Sequence, residues 1–381
     1  MAKKPNKIRA ELRRNRTPRV RSSDWTRKFQ QEGRDELESV PLEERIGKDG
    51  LTRRRTIVAA QPPEDEGQSL TSILEVDRSA CRPGRVLSVL GLLSLVQADD
   101  GTVYRCATRR LLKTLSTVER HVVAAGDRVW FRPAEKTSLH EGIIEAIEPR
   151  RGVLARQVDG RQHVVVTNID QVLVVASAAE PPLKPNLIDR LVVAAEKGNT
   201  RPVVCINKVD LVDARELMPL AGVYARMGYP VLLLSALTGF GLERMRRMLR
   251  NRSSAVVGQS GVGKSSLLNA LEPSFRLATA PVSRETEKGR HTTTNARLLP
   301  LSFGGYVVDT PGMRQFQLWD VVPEEVVNYF RDFRPYVSAC KFPDCSHTHE
   351  SHCAVKDAVA DGRLDCRRYE SYLRLRAGET E

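Results

Sequence analysis

The chain has 381 residues, enough for about two or three domains with cores of their own, and its 60 Lys and Arg against 47 Asp and Glu leave a formal net charge of +13. A surplus of that size bears on association rather than on fold and indicates a polyanionic partner, most simply nucleic acid, with a membrane surface as the competing reading. No run of about 18 apolar residues is present and the basic start has no apolar segment behind it, so neither a membrane span nor a secretory signal is expected.

Residues 1–78 read as an extension. Between Lys3 and Arg21 the Lys and Arg side chains face only Glu11, and Arg53-Arg54-Arg55 precedes an acidic, Pro-rich stretch at 61–66. Apolar residues are too few and too irregular to offset ordering entropy, so the extension is expected to be largely disordered when free. It suits an arm that meets a phosphate backbone, or a solubilising tail.

From 79 to 150 short alternating runs are separated by Gly and Asp, which predicts a small barrel or sandwich. About 70 residues and roughly five strands suit an OB-type barrel, a fold whose face commonly takes oligonucleotides. Arg85, Tyr104, Arg105, Arg109, Arg110 and Arg128 offer charge and stacking there, and a purely structural barrel is equally open.

After Arg151 the texture becomes α/β. The near-continuous apolar run 171–176 reads as a strand covered on both faces, and Leu187, Ile188, Leu191, Val192 and Ala195 fall at helical spacing before Gly198. Strand 202–206, a helical stretch to about Met227, strand 231–234, a helix over 241–249 and strand 254–257 follow. This alternation predicts a mainly parallel, doubly wound sheet over 151–322.

Two loops in that sheet select a base. Strand 203–206 runs into Asn207-Lys208-Val209-Asp210, at the strand end where such sheets bind ligands. An Asp carboxylate there can accept from both N1–H and N2–H₂ of guanine, a donor pair that adenine lacks. Asn207 can hold the opposite edge of the base and fix the loop, and the stem of Lys208 can lie against its face. The next strand ends in Ser235-Ala236-Leu237, suited to meeting the guanine oxygen through backbone N–H.

The next loop, Gly258-Gln259-Ser260-Gly261-Val262-Gly263-Lys264-Ser265, fits G-x-x-x-x-G-K-[ST] at every fixed position, and Ser266 opens a helical stretch. Its glycines let backbone N–H groups converge on phosphates and the helix N-terminus adds partial positive charge. Lys264 then reaches the outer phosphates and the Ser265 hydroxyl ligates Mg²⁺. Together these loops select GTP.

Further on, a strand over 305–308 leads into Asp309-Thr310-Pro311-Gly312, with Asp309 placed to hold Mg²⁺ through water and the Gly312 N–H placed to sense the γ-phosphate. Between lies Gly289-Arg290-His291-Thr292-Thr293-Thr294, which has the character of a switch loop. Thr292 or Thr293 completes the Mg²⁺ shell in that reading, and the choice between them stays open. After Gly312 comes Met313, where familiar GTPases carry a Gln that orients the attacking water. Methionine has no such group, so slow intrinsic hydrolysis is expected, and His291 is the candidate to hold the water.

Conventional small GTPases run P-loop, switch, Asp-x-x-Gly, Asn-Lys-x-Asp, Ser-Ala, whereas here Asn207–Asp210 and Ser235-Ala236 precede Gly258. The sheet reads as circularly permuted, which is tolerable where old termini lie close together at the surface. Together with the barrel before it and a cysteine cluster after it, the chain resembles the ribosome small-subunit-dependent GTPase A family, also called YjeQ or RsgA, from about Gly84 to Arg376. Supporting stretches are Gly126-Asp-Arg-Val129, Asn168-Ile-Asp-Gln171, Leu187-Ile-Asp-Arg190 and Gly289-Arg-His-Thr-Thr-Thr294. The extension at 1–78 departs from the compact family pattern. The resemblance implies an OB-fold barrel, a zinc-binding C-terminal segment, and a GTPase that binds the 30S subunit and its 16S rRNA late in maturation. It further implies hydrolysis stimulated by the subunit and coupled to release. A GTP-sensing rRNA-binding scaffold with little or no hydrolysis, and a permuted GTPase of large-subunit assembly, are the alternatives.

Three of seven cysteines crowd together as Cys340-x₄-Cys345-x-His347-x₅-Cys353, which suggests a metal site in a reducing compartment, hence the cytoplasm, rather than a disulfide framework. Three thiolates and one imidazole make a closed tetrahedral set suited to structural Zn²⁺. His349 and His352 are further imidazoles nearby, and the family's pattern favours His347. Around the cluster, 326–333 and 369–375 look helical within a mainly helical unit over 323–381. Arg363, Arg367, Arg368, Arg374 and Arg376 form either an RNA-facing basic surface or a solvated helix face. The protein is expected to act as a monomer with no membrane partner.

Overall fold

The computed structural model describes residues 6–12, 53–59, 77–109, 112, 122–134, 140–158, 161–277, 296–309 and 322–379. Within the N-terminal extension, strand β1 (Asn6–Leu12) pairs antiparallel with β2 (Arg53–Ala59), from Asn6 opposite Ala59 to Leu12 opposite Arg53. The irregular apolar pattern gives no notice of this pairing. Residues 1–5, 13–52 and 60–76 of the expected disordered extension lie outside the described residues.

Strands β3 (Arg82–Leu90), β4 (Leu93–Ala98), β5 (Val103–Thr108), β6 (Arg128–Pro133) and β7 (Glu141–Ile147) follow. They bond in the order β3-β4-β5-β7-β6, and β6 returns to β3, which closes a five-stranded barrel as the strand spacing predicted. Burial alternates along β4 and β5, and the inward side chains, among them Val96, Cys106, Phe131 and Ile144, are out of solvent. Gly84 is paired to β4 on one side and β6 on the other. A Cβ there would lie 2.7 Å from Val96 Cγ1 and 3.0 Å from a Phe131 ring carbon, so only glycine lets β3 run this close to the core.

A buried carboxylate fastens the barrel to the start of the GTPase-like half of the chain. Asp127 accepts from the Ala124 N–H at 2.8 Å, from Thr167 Oγ1 at 2.7 Å, and from Arg150 Nε and Nη2 at 2.9 and 3.0 Å. Every lone pair that matters is met, which is what makes a fully buried Asp tolerable. Gly126 beside it has φ 93°, and a Cβ would sit 2.0 Å from the Thr167 carbonyl oxygen, so the turn is closed to other residues. A hairpin of β8 (Leu154–Val158) and β9 (Arg161–Val166), which sequence periodicity did not reveal, then leads into the main sheet.

That sheet contains β10 (Gln171–Ser177), β11 (Arg201–Asn207), β12 (Val231–Leu233), β13 (Ser253–Val257), β14 (Arg297–Pro300) and β15 (Tyr306–Asp309). Its order is β12-β11-β10-β13-β15-β14, parallel except for β14. Helices α1 (Pro185–Lys197) and α2 (Ala214–Arg226) cover one face, where Val172, Val174, Val204 and Ile206 meet Ile188, Leu217 and Tyr224. Helices α3 (Leu242–Leu249) and α4 (Lys264–Leu271) cover the other, where Leu173, Val175, Val203 and Val256 meet Met245, Leu249 and Leu267. Apolar neighbours along β10 thus serve opposite cores, which explains its unbroken hydrophobic run. β14 also bonds to β3 through the pair Arg297–Ser88, so the barrel and the doubly wound sheet share one ladder.

The C-terminal unit comprises a 3₁₀ helix Pro323–Tyr329, a short α5 (Arg334–Val337), α6 (Ala354–Ala360) and α7 (Cys366–Arg376). The stretch predicted as a helix over 326–333 instead ends its 3₁₀ turns at Tyr329. Val326-Val327-Asn328 favours helix weakly, and the extended Phe330 lets both Phe330 and Phe333 reach Tyr372, at ring-centroid distances of 5.5 and 5.0 Å. Arg368 corrects a second expectation: it is 2 % exposed and forms no part of a basic surface. Its Nη1 lies 2.6 Å from Asp189 Oδ1 on α1, its Nε and Nη2 donate to Asp332 at 3.0 Å each, and its guanidinium covers the Phe330 ring. The cause is helical spacing, since Arg368, Ser371 and Tyr372 share the face of α7 that packs inward. Ser371 Oγ donates to Asn186 Oδ1 at 2.8 Å from that face. No helix among the described residues is long and apolar enough to cross a membrane.

Candidate nucleotide site and metal centre

β13 lies between β10 and β15 and runs directly into the glycine loop, which delivers α4. Each loop glycine answers a local demand. Gly258 has φ 147°, and a Cβ would lie 2.0 Å from the Val175 carbonyl oxygen; Gly263 has φ 90°, and a Cβ would lie 2.4 Å from Asn207 Nδ2. Gly261 also takes positive φ, at 82°. Val262 faces inward into the core beneath the loop, so of this stretch its backbone, not its side chain, is available to a ligand. Gln259 and Ser260 border solvent, and Ser265 and Ser266 stand in the first turn of α4. Lys264 Nζ donates to the carbonyls of Gly258 and Gln259, both at 2.7 Å, which holds its ammonium across the loop mouth.

Asn207 ties the base-selecting loops to the phosphate loop. It is buried at the end of β11, its Nδ2 donates to the Val262 carbonyl at 2.8 Å, and its Oδ1 accepts from the Ala236 N–H at 3.3 Å. The loop-fixing half of its expected role is therefore built into the fold. Lys208 adopts φ 61° and caps a 3₁₀ turn Val209–Leu211; its Nζ donates to the Glu180 carbonyl. Asp210 in that turn is exposed, and among the described residues its carboxylate has no partner. Ser235 is fully buried, its Oγ accepting from the Thr238 N–H at 3.1 Å, which shapes the loop that presents Ala236 and the 85 %-exposed Leu237. Sequence reasoning missed Glu180. It follows β10, where Ser177 Oγ donates to the same carbonyl at 2.9 Å; a strand-end Ser before Pro-Pro was the available sign.

Asp309 closes β15, the neighbour of the strand that enters the glycine loop. The expected switch residues His291, Thr292 and Thr293, and Gly312 with Met313, lie outside the described residues.

In the C-terminal unit, one donor atom from each of Cys340, Cys345, His347 and Cys353 lies within 4.8 Å of the others. A tetrahedral zinc with Zn–S about 2.3 Å and Zn–N about 2.0 Å sets S···S near 3.8 Å and S···N near 3.5 Å. Cys340 Sγ to Cys353 Sγ is 3.9 Å, and His347 Nδ1 lies 3.5 and 3.4 Å from those two sulfurs. The donor set therefore fits zinc with no position left open. Burial and the neighbouring thiols push the Cys345 thiol up to about 12, and burial lowers the His347 pKa. A dication reverses the first penalty and accepts the neutral imidazole that the second favours. Tyr369 Oη donates to the His347 carbonyl at 2.8 Å and Tyr372 Oη to the Ser346 carbonyl at 2.7 Å, so α7 braces the loop that carries the imidazole. His349 and His352 are exposed and outside the cluster.

The RsgA GTPase family model matches residues 147–319. The Small ribosomal subunit biogenesis GTPase RsgA of Chlorobaculum parvum is 41 % identical over 301 residues, covering 77 % of this chain and 96 % of that protein. Its namesake from Sodalis glossinidius is 41 % identical over 300 residues, covering 77 % and 84 %. Among solved structures, YjeQ from Thermotoga maritima superposes with a TM-score of 0.65 at 35 % identity, over 78 % of this chain and 98 % of that one. YloQ, described as a circularly permuted GTPase, gives 0.62 at 28 %, over 80 % and 97 %. With one relative matched over 96 % of its length and a solved neighbour described as a circularly permuted GTPase, this chain belongs to the RsgA GTPase family, a circularly permuted GTP hydrolase.

Proposed function

We propose that this GTPase acts in late maturation of the small ribosomal subunit, binding the 30S particle through its 16S rRNA and leaving it when GTP is hydrolysed. The observation that carries this reading is one chain's combination of three parts, an OB-like barrel, a permuted GTPase sheet and a Cys₃His unit, in a chain whose relatives bear the name of small ribosomal subunit biogenesis GTPases. The net charge of +13 suits a polyphosphate partner.

In this reading GTP brings the scissile phosphate and Mg²⁺ neutralises its charge. The chain's own residues do the rest. Backbone N–H groups of 258–263 and Lys264 hold the outer phosphates, Ser265 and Asp309 hold the magnesium with Thr292 or Thr293, and Gly312 senses the γ-phosphate. Asp210 reads guanine, with Lys208 along its face and Ala236 and Leu237 at its oxygen. The zinc unit holds Zn²⁺ through Cys340, Cys345, His347 and Cys353 and keeps a structural role. Met313 leaves hydrolysis slow without a partner, and His291 holds the attacking water when the partner is present.

GTP turnover is measured for the protein alone, with 30S subunits and with 50S subunits, at two salt concentrations. Stimulation by 30S alone, weakening as salt rises, is the expected result. Stimulation by 50S instead, or by neither, overturns the proposal. His291→Ala should lower the 30S-stimulated rate by roughly 10²-fold while GTP affinity stays nearly intact; an unchanged rate removes His291 from the mechanism.

A further inference from the structure

A cleft of about 560 Å³ opens between the barrel and the GTPase sheet, at the edge of the sheet opposite the glycine loop. Its walls come from the strand beginnings: Arg252 and Ser253 at the start of β13, Tyr306 at the start of β15, and Asp170 just before β10. The barrel supplies Arg85 from β3 and Arg128 from β6, and Arg151 stands at the rim.

The charge pattern here is unusual. Arg85 and Arg128 are direct cross-strand partners, a like-charge placement that costs stability unless something negative sits between or beside them. Arg85 is half-buried, and burial first, then the Arg128 charge, lower its pKa from the ordinary value. Its direct contacts are with neutral groups: Nη1 donates to Ser253 Oγ at 2.8 Å and the guanidinium lies 4.8 Å from the Tyr306 ring centroid, while the nearby Asp170 carboxylate attracts its charge without pairing with it. Of the two carboxylates in the lining, Asp170 accepts from the Ser253 N–H at 2.7 Å and Glu148 from Trp130 Nε1 at 3.1 Å. Neither forms an ion pair with the arginines among the described residues. Four arginines thus line a hollow with two engaged carboxylates; Arg252 Nη1 also donates to Gln171 Oε1 at 3.1 Å, and Arg is the side chain whose fork fits phosphate oxygens.

We infer that this cleft is a second anion site, separate from the nucleotide loops, that takes phosphate esters between Arg85, Arg128, Arg151 and Arg252. Successive phosphodiesters of a single RNA strand and small free polyphosphates share that chemistry. The site has a direct line to the nucleotide end. Arg85 grips the first residue of β13 and covers the first residue of β15, and the far ends of those strands carry Gly258 and Asp309.

The test uses full-length protein saturated with GDP, so that the glycine loop is filled. A fluorescein-labelled single-stranded 12-mer RNA is titrated by anisotropy across a salt series, and inorganic pyrophosphate by calorimetry. The Arg128→Ala/Arg151→Ala double variant changes two exposed side chains. Arg215→Ala/Arg226→Ala on α2 removes the same charge from an exposed surface elsewhere. The cleft variant should bind RNA at least tenfold more weakly, with a log–log salt slope shallower by about 1.4, as expected for two lost single-strand phosphate contacts. Lost pyrophosphate binding with unchanged RNA binding supports the site with a small polyphosphate as its occupant. Equal losses in the α2 variant, or no loss in either probe, overturn the site. Because no ribosomal subunit is present, these outcomes are separate from those of the turnover assay.

Discussion

Gly263 sets the tolerance of the whole nucleotide site, because its missing Cβ is what leaves room for the Asn207 amide. Gly263→Ala should force either a strained positive φ or a displaced Asn207, at about 1–3 kcal/mol, and so weaken GTP binding tenfold or more in a titration with a fluorescent GTP analogue. A wild-type affinity would mean that the loop relaxes freely. Arg368 makes the same point for stability. Arg368→Met removes the counter-ion of Asp189 and Asp332 and should cost about 3 kcal/mol or more in urea unfolding. Asp189 already sits above the ordinary carboxylate range, chiefly through burial, so adding Asp189→Asn should return part of the loss. At this scale the sequence was legible where chemistry imposes a spacing: Gly258, Gly263, Lys264 and the Cys₃His set all stand where the motif put them. It misled for Arg368, since an arginine among arginines reads as surface until its partners on α1 and before α5 are known.

At the scale of elements, each strand that carries a site residue does so at its C-terminal end, and the cleft residues on the GTPase sheet sit at strand beginnings. β10, β11 and β13 could be traced from their apolar runs because both faces are covered. The β8–β9 hairpin and β14 could not: they are short, and their alternation is too brief to stand out from the loops beside them. The C-terminal unit gathers its Cys₃His donors and a few aromatic rings, and the proposed zinc would hold it together. Chelation, or Cys345→Ser, should release stoichiometric zinc and loosen α6 and α7, seen as lost near-UV signal from Tyr369 and Tyr372. Metal analysis finding no zinc in the purified protein would refute the assignment outright. Helix α1 should feel the loss as well, since Val193 belongs to the core of that unit.

For the whole molecule, permutation decides which parts are neighbours along the chain. Asp309 ends β15 and the C-terminal unit begins at Pro323, so the segment expected to sense the γ-phosphate is the neighbour in sequence of the Cys₃His unit. If hydrolysis drives release from the 30S particle, as proposed above, the GTP and GDP forms should differ in affinity for it, and equal affinities would sink that coupling. Another connection is less obvious. Asn269 on α4 clasps Leu277 by both its amide and its carbonyl, at 2.8 Å each. At the other end, β14 is bonded to β15 and, through Arg297 and Ser88, to the barrel. Leu277 and Arg297 are therefore each fixed, one on the helix of the glycine loop and the other against the barrel. A tilt of the barrel would therefore move Arg297 relative to the helix of the glycine loop, so the distance between Leu277 and Arg297 answers to the barrel as well as to the GTPase sheet.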